Sequence, residues 1–394
     1  EGLYLLTTVA LAASTMRLAK RGVLLHNMKS IESLARVDVL CVDKTGTITE
    51  NTMEVQELVP VVSIENDGTD LTNVEKLIGD FCRTMSADND TMKAMKEFFV
   101  TNNQREAVSY TSFSSVEKFS SVTFPEATYI LGAPEMILRD NYEMYQSEVE
   151  HYTSQGYRLL VFGKYLGEFQ ETLAAEVQPL GYILLWNPIR KEAKATFEYF
   201  AEQNVAIKVI SGDNPLTVSN VAQAAGIIGA ENYVDARTLT TMEAQTEALE
   251  KYTVFGRVTP EQKKQFVLLL KKLDHTVAMT GDGVNDILAM KEADCSIAMA
   301  SGNQATAQAS QVVLLDSDFS TMPEVVFEGR QVVNNIERSS SLFLVKNIFS
   351  LLMSVFAMIF AVTYPLQPTQ VTLISLFTIG IPSTFLALEP NHRR

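Results

Sequence analysis

The sequence contains little cysteine and histidine, which excludes several kinds of metal and redox site. Only three cysteines occur among the 394 residues, Cys41, Cys82 and Cys295, and no two of them form a CxxC pair. The four histidines are scattered without the spacing of metal ligands. This pattern argues against a disulfide framework or a zinc site, and it favours buried thiols in a reducing compartment.

Basic residues are also scarce relative to acidic ones. The chain has 32 lysines and arginines against 47 aspartates and glutamates, a formal net charge of −15. Because such a chain repels a polyanion, nucleic acid is excluded as the main partner. The length of 394 residues favours two or three domains over one.

Long apolar runs are confined to the later part of the sequence. The run at 342–362 has Lys346 as its only charge, and a second run covers 371–388. Each is about 20 residues long, the length that crosses a bilayer; the alternative is a helical hairpin buried in a soluble core. Arginines flank the pair on both sides: Arg330, Arg338, Arg393 and Arg394. By the positive-inside rule, both ends of the hairpin face the cytoplasm.

A shorter apolar stretch opens the sequence. Residues 2–14, "GLYLLTTVALAAS", are mostly apolar, and Arg17, Lys20 and Arg21 follow them. The stretch is about half the length of a membrane span. We therefore expect the sequence to begin within a membrane helix.

Between these segments, residues 25–335 have a soluble composition. Four short apolar runs each end in a polar, glycine-containing loop: "VDVLCVDKTGT", "VAIKVISGDN", "TVAMTGDGVND" and "CSIAMASGN". Helical patterns separate the runs, and strands that alternate with helices predict a parallel sheet covered on both faces. Residues 53–179 differ, because runs such as "SSVTF" and "TYILGAP" indicate antiparallel strands of an inserted domain.

Acidic residues are concentrated in the loops after these predicted strands. Asp43 follows the first, and Asp282 with Asp286 follows the third. Parallel sheets gather chemistry beyond the carboxyl ends of their strands, so these carboxylates should meet and could share Mg²⁺. Neighbouring residues offer donors for phosphoryl oxygens: Lys44, Thr45, Ser211, Gly212 and Lys263. The chemistry that fits is phosphoryl transfer to a carboxylate, which gives an aspartyl phosphate.

The motifs "DKTGT", "SGDN", "GRVTPEQK" and "TGDGVND", in this order, resemble those of the P-type cation-transporting ATPases, in particular the bacterial calcium-pump-like group. The resemblance covers the whole chain and runs from the fourth to the sixth membrane helix of that family. It implies an α/β fold: a haloacid-dehalogenase-like parallel-sheet phosphorylation domain with an inserted α+β nucleotide-binding domain, plus transmembrane helices. It also implies ATP and Mg²⁺ as cofactors, and a transported cation and the lipid bilayer as partners.

The resemblance implies roles for the residues of the phosphorylation site. Asp43 would be phosphorylated, and Asp43, the Thr45 carbonyl and Asp282 would hold Mg²⁺. The other implied residues of this site are Lys44, Ser211, Gly212, Asp213, Lys263, Asn285 and Asp286. Soluble phosphatases of the superfamily carry a second aspartate, their acid and base, where this chain has Thr45. Without that base the phosphoenzyme should persist long enough to drive a conformational cycle.

For the nucleotide, the implied residues are Phe113, Lys118, Gly132, Arg158 and Asp90. In "FSSVEKFSSV", Phe113 would stack on adenine and Lys118 would lie at the edge of the pocket; the alternative is a core phenylalanine beside a solvated lysine. Arg158 matches a phosphate-contacting arginine, whereas Asp90 is either an adenine-site acid or an ordinary surface acid. The segment "LGAPE" departs from the family's KGAPE, because Leu131 replaces the lysine.

For the transported cation, the implied residues are Glu1, Asn347, Ser375 and Thr378. The opening "EGL" resembles the tail of the PEGL motif that breaks a membrane helix and lets Glu1 face an ion. Family carboxylates and an amide are replaced by Ser350, Ser375 and Ile379. With so few carboxylates, one ion per cycle is favoured over two Ca²⁺. Lys346 is either a built-in counter-cation or a snorkelling side chain.

We therefore expect ATP-driven transport of a cation, with Ca²⁺ the first candidate. The predicted domains are a half-helix with its extension at 1–24, a phosphorylation domain at 25–52 and 181–338, a nucleotide-binding domain at 53–180 and a membrane hairpin at 339–390. The chain has no TGE motif, so we expect a fragment of a longer multi-pass pump, without its actuator domain and remaining membrane helices. We expect that pump in the bacterial cell membrane, with its soluble domains in the cytoplasm. The alternatives are a membrane-anchored haloacid-dehalogenase-type phosphatase and a non-catalytic nucleotide-binding membrane protein.

Overall fold

The computed structural model describes residues 2–61, 71–101, 105–113, 118–167 and 173–389. The chain forms two compact units, each gathered from separate stretches of sequence. The first consists of Glu1–Thr47, Lys191–Gly212 and Ala225–Arg394, and the second of Ile48–Arg190 and Asp213–Ala224. The functions predicted for the corresponding domains stay predictions.

The strands fall into one sheet per unit. In chain order they are β1 Val23–Leu25, β2 Val39–Val42, β3 Glu54–Val59, β4 Ser109–Thr111, β5 Phe119–Thr123, β6 Thr128–Gly132, β7 Arg158–Tyr165, β8 Val177–Trp186, β9 Ala206–Ile210, β10 Tyr233–Asp235, β11 Val254–Gly256, β12 Val277–Gly281, β13 Cys295–Met299 and β14 Val312–Leu314. The first unit holds the order β1-β14-β13-β12-β2-β9-β11-β10, and the second holds β3-β8-β7-β6-β5-β4.

Helices connect and cover these strands. In chain order they are α1 Gly2–Ala19, α2 Lys29–Arg36, α3 Leu71–Thr84, α4 Asp90–Phe98, α5 Pro134–Leu138, α6 Tyr142–Ser154, α7 Ala193–Glu202, α8 Pro215–Ala224, α9 Met242–Lys251, α10 Pro260–Lys272, α11 Ile287–Glu292, α12 Gln304–Ala309, α13 Met322–Ile359, α14 Pro368–Ser375 and α15 Ile381–Leu388.

The sheet of the first unit is parallel except at one edge. Its central strands β2 and β12 are apolar and buried along their whole length, as expected for a parallel sheet covered on both faces. The edge strand β1 runs antiparallel to β14, which the sequence patterns did not predict. Just before β1, Gly22 has φ +74°, a conformation that favours glycine, and its carbonyl accepts a hydrogen bond from the Leu315 amide at 2.7 Å, which extends this pairing by one residue.

The sheet of the second unit is antiparallel throughout, as its sequence predicts. Alternate residues of β8 point to opposite faces, because side chains alternate along a strand. Ile183 and Leu185 join a core formed with α3 and α4, whereas Tyr182 and Leu184 join a core formed with α5 and α6. Helices therefore cover both faces of this sheet.

Helix α13 extends far beyond the first sheet. Its 38 residues span about 57 Å at 1.5 Å per residue. Two helical stretches, Phe319–Ile359 and Pro368–Leu386, are long and apolar enough to cross a membrane. The most apolar part of the first stretch is exposed, so the structure does not show a hairpin buried in a soluble core. The second predicted run is interrupted by a π-helical turn, Leu376–Gly380, between α14 and α15.

Candidate active site

Three loops of the first unit lie at the same edge of its sheet. Strands β9, β2 and β12 are adjacent and parallel, so their carboxyl ends point the same way. Ser211, Asp43 and Asp282 directly follow these three strands. Because parallel sheets bind ligands beyond the carboxyl ends of their strands, this edge is the candidate active site.

The chain turns sharply after Asp43. Within the turn Lys44–Ile48, Thr45 is extended (φ −74°, ψ 136°) and Gly46 is left-handed (φ +72°), a conformation that favours glycine. The Lys44 amide donates a hydrogen bond to Asp43 Oδ1 at 2.8 Å. One carboxylate oxygen of Asp43 is thus fixed by backbone, while the other faces Lys263.

Lys263 links two of the carboxylates. Its ammonium lies 2.7 Å from Asp286 Oδ1 and 3.3 Å from Asp43 Oδ2, and its side chain is buried. Lys263 is held there by the start of α10. The Thr259 hydroxyl accepts from the Gln262 amide at 3.2 Å, and the Gln262 side chain accepts from the Thr259 amide at 3.1 Å. This capping box fixes the first turn of the helix, from which Lys263 projects.

The three predicted aspartates meet at this edge. Carboxylate oxygens of Asp43, Asp282 and Asp286 lie within 4.8 Å of one another. Burial raises the pKa of Asp43 to about 6; Lys263 opposes the rise and Asp286 adds to it. Burial, followed by the charges of Asp43 and Asp286, raises the pKa of Asp282 to about 6. Crowded, hard oxygen donors of this kind fit Mg²⁺, whose charge would relieve the repulsion.

Two glycines allow this crowding. A Cβ at Gly281 would lie 2.5 Å from Asp286 Cβ, and one at Gly302 would lie 2.7 Å from the Asp282 carbonyl oxygen. The Asn303 amide also donates to that carbonyl at 2.7 Å. Sequence reasoning had noted the loop "CSIAMASGN" only as a strand end, because nothing local shows that it supports the Asp282 backbone.

For the other residues predicted at this site, the structure gives the position in the fold and the exposure. Ser211 is buried; its amide donates to the Phe255 carbonyl and its carbonyl accepts from the Val258 amide, both at 3.0 Å. Gly212 and Asn285 are exposed, and Asn285 lies in the short turn that ends at Asp286. Asp213 is exposed and belongs to the second unit. Contact of these residues with a phosphoryl group stays a prediction.

The residues predicted to bind the nucleotide lie in the second unit. Gly132 pairs with Phe119 across β6 and β5, and its Cα approaches Lys118 so closely that a Cβ would lie 2.7 Å from the Lys118 carbonyl oxygen. Phe113 is 48% exposed, as a side chain available for stacking would be. Arg158 is exposed at the start of β7, the strand next to β6.

Two residues qualify the nucleotide prediction. Asp90 is exposed at the start of α4, where its carboxylate pairs with Lys93 at 2.9 Å. Leu131 is buried in the core shared with α3 and α4. The position that holds a lysine in the resembled family therefore provides a packing side chain here and no cation.

The residues predicted for the transported cation are only partly brought together. Ser375 and Lys346 line a cavity of about 390 Å³ between α1, α13 and the last helices. Asn347 is exposed on α13, and the Thr378 hydroxyl donates to the Ile374 carbonyl at 2.6 Å. Neither lines that cavity. Glu1 lies outside the described residues.

Known proteins are similar to this chain in sequence and in fold. The probable cation-transporting ATPase exp7 of Streptococcus pneumoniae is 39% identical over 99% of this chain and 51% of its own length. The calcium-transporting ATPase CtpE of Mycolicibacterium smegmatis is 41% identical over 100% of this chain and 50% of its own length. The chain thus spans about half the length of the curated relatives it matches.

A solved structure shows the same architecture. The crystal structure of a zinc-transporting PIB-type ATPase in the E2.Pi state superposes with a TM-score of 0.70 at 20% identity, over 98% of this chain and 55% of that one. This likeness concerns the fold. It agrees with the α/β fold, inserted domain and apolar helices expected from the motifs.

A family match covers the segment that contains the site. Residues 37–294, which include Asp43, Lys263, Asp282 and Asp286, match the haloacid dehalogenase-like hydrolases. The match covers most of the first unit's sheet and the whole of the second unit. This chain belongs to the haloacid dehalogenase-like hydrolase family, and it is similar over its entire length to cation-transporting ATPases.

Proposed function

We propose that this chain is part of an ATP-driven cation pump that works through an aspartyl phosphate on Asp43. The observation that carries the proposal is the partly buried Asp43 carboxylate, held at the end of β2 by the Lys44 amide and paired with Lys263. The names of the similar proteins, cation-transporting and calcium-transporting ATPases, support the same function.

The chemistry is transfer of the terminal phosphoryl group of ATP. A carboxylate oxygen of Asp43 attacks the γ-phosphorus, the bond from that phosphorus to the bridging oxygen breaks, and ADP leaves with the electron pair. Lys263 places its positive charge beside the oxygens that carry negative charge during transfer. Burial disfavours the charge on Lys263, but the carboxylates of Asp43 and Asp286 outweigh it and raise the lysine's pKa. The ammonium is therefore retained.

The residue at position 45 favours a long-lived phosphoenzyme. Hydrolysis of an acyl phosphate is fast where a carboxylate removes a proton from the attacking water. Thr45 has a hydroxyl in place of that carboxylate, and its backbone is extended. A pump needs this delay, because its conformational change must occur before the phosphate is lost.

Mg²⁺ is the metal that the donor set suits. Asp43, Asp282 and the Thr45 carbonyl would hold it, with Asp286 beside them. Bound there, Mg²⁺ would neutralise charge on the nucleotide phosphates and on the crowded carboxylates. The second unit would bind ATP. Phe113 and Lys118 would contact the adenine and Arg158 the phosphates, with Gly132 also in the pocket.

The apolar helices would carry the cation across a membrane. Helices α1, α14 and α15 and the apolar part of α13 would lie in the membrane of a bacterial cell, and the two sheets with their covering helices would lie in the cytoplasm. Ca²⁺ is the first candidate, at one ion per cycle, with Glu1, Asn347, Ser375 and Thr378 as ligands. The complete pump would add an actuator domain and further membrane helices, since this chain matches about half the length of these two relatives.

Labelling with ATP tests the proposal. The full-length protein that contains this chain should incorporate ³²P from γ-labelled ATP into an acid-stable, hydroxylamine-labile bond, and Asp43→Asn should abolish the label. Asp38→Asn is the matched control, because Asp38 precedes the same strand at its other end and bonds the Thr276 amide. A membrane-anchored phosphatase would release phosphate from small phosphoesters without retaining this label, and a nucleotide sensor would hydrolyse nothing. ATPase stimulation across Ca²⁺, Mg²⁺, Mn²⁺ and K⁺ then identifies the cation.

A further inference from the structure

An ion pair between the buried Glu328 carboxylate and the Arg17 side chain, which is 39% exposed, joins α1 to α13. The Glu328 side chain is 7% exposed and accepts hydrogen bonds from Arg17 Nε at 3.0 Å and Arg17 Nη2 at 2.9 Å. It also accepts one from the fully buried Ser14 hydroxyl at 3.1 Å. Two-pronged pairs between arginine and a carboxylate fix geometry as well as charge.

The next residue of α13 contacts a different helix. A Cβ at Gly329 would lie 2.7 Å from the Ile31 carbonyl oxygen and 3.2 Å from the Ala35 amide, both on α2. The backbones of α13 and α2 therefore touch at this point, and no larger residue fits without displacing them. Two residues separate the end of α2 from β2, and Asp43 follows β2 directly.

Adjacent residues of one helix thus hold two partners. Glu328 holds α1, which leads back to the predicted cation site, and Gly329 holds α2, which leads to the phosphorylated aspartate. We infer that Arg17 and Glu328 form a positioning pair that couples phosphorylation of Asp43 to the membrane half of α1. This inference rests on the proposed function and adds to it the residues through which the two sites communicate.

The burial of Glu328 is what makes the contact rigid. Separating the pair would leave an uncompensated carboxylate among packed helices, which is strongly unfavourable. Helices α1 and α13 therefore move together at this level and do not slide. A second pair, Arg21 with Glu324, lies one helical turn away on both helices, with side chains 49% and 50% exposed. Water screens such a pair, so it contributes little.

The two pairs provide a matched experiment in the full-length protein. Phosphoenzyme from labelled ATP is measured with and without the stimulating cation, beginning with Ca²⁺ against chelator. In Glu328→Gln we expect the maximal phosphoenzyme to stay within twofold of wild type, while the ratio with and without cation falls at least fivefold. Glu324→Gln should keep both quantities within twofold. Arg17→Lys, which keeps the charge but loses the two-pronged geometry, should give an intermediate ratio.

Each outcome decides a separate point. A wild-type ratio in Glu328→Gln, or an equal loss in Glu324→Gln, overturns the coupling role. If the maximal phosphoenzyme of Glu328→Gln falls by the same factor as its ratio with and without cation, the pair has only a structural role. That result also overturns the coupling role. If Glu328→Gln does not fold, Arg17→Lys decides by the same criteria. Absence of label in the wild type would instead contradict the proposed function.

Discussion

At the scale of single residues, the charge balance of the candidate site depends on Lys263. Three carboxyl groups share one edge of the sheet, and the Lys263 ammonium contacts two of them, Asp43 and Asp286. Without this charge the pKa of Asp43 would rise further, since Lys263 is among the groups that lower it. The nucleophile would then be protonated in a larger share of molecules.

Lys263→Met should therefore slow phosphorylation of Asp43. Removal of one charged donor aimed at a transition state costs roughly a hundredfold or more in rate, and single-turnover labelling with γ-³²P ATP measures it. Lys264→Met is the control, because this neighbour on α10 is 41% exposed and pairs with Glu292. A rate for Lys263→Met within threefold of wild type would show that the ammonium does not act on the phosphoryl group.

At the scale of elements, the start of α10 determines where Lys263 points. Helices α10 and α9 both begin with a threonine cap. The Thr259 and Thr241 hydroxyls each accept a hydrogen bond from the third amide of their helix at 3.2 Å. Only α10 carries a residue of the candidate site, so the same loss of capping should have different consequences in the two helices.

Thr259→Ala and Thr241→Ala should each lower the free energy of unfolding by about 1 kcal/mol. We expect Thr259→Ala alone to reduce the phosphorylation rate, by several-fold, because the first turn of α10 then holds Lys263 less firmly. Thermal unfolding and single-turnover labelling measure the two effects. Equal phosphorylation rates in the two variants would mean that the cap serves stability only.

The sequence predicted those elements whose signals are local. Strands β2, β9, β12 and β13 end in recognisable loops, and adjacency of parallel strands then brings Asp43 to Asp282. Contacts between distant segments left no such signal. The pair Arg17 and Glu328 is 311 residues apart in sequence, and Gly329 resembles any glycine until α2 is seen against it. The buried position of Leu131 likewise follows from the packing of a whole sheet.

At the scale of the whole molecule, the chain divides into two units with separate cores. The parallel sheet packs around Phe255 and Phe266, whose rings lie 5.1 Å apart. The antiparallel sheet packs around Phe81 and Phe162, at 5.6 Å. Regions with separate cores open as separate cooperative units, so the free energy of opening should differ between them.

The three cysteines can report this difference. Cys41 and Cys295 lie in the first unit and Cys82 in the second, and burial raises the pKa of each thiol to about 12. The thiolate is the reactive form, so alkylation of the folded chain near pH 8 should be slowed roughly a thousandfold. With increasing urea, we expect Cys41 and Cys295 to become reactive at one shared concentration and Cys82 at another.

Mass spectrometry of peptides after a brief iodoacetamide pulse measures the three midpoints. Cys41 and Cys295 provide the internal control, because β2 and β13 are separated only by β12 and must open together. If all three thiols react at one urea concentration, the units unfold as a single cooperative body. If the urea midpoints of Cys41 and Cys295 differ, the parallel sheet opens in parts. The strand that carries Asp43 would then unfold independently of β13.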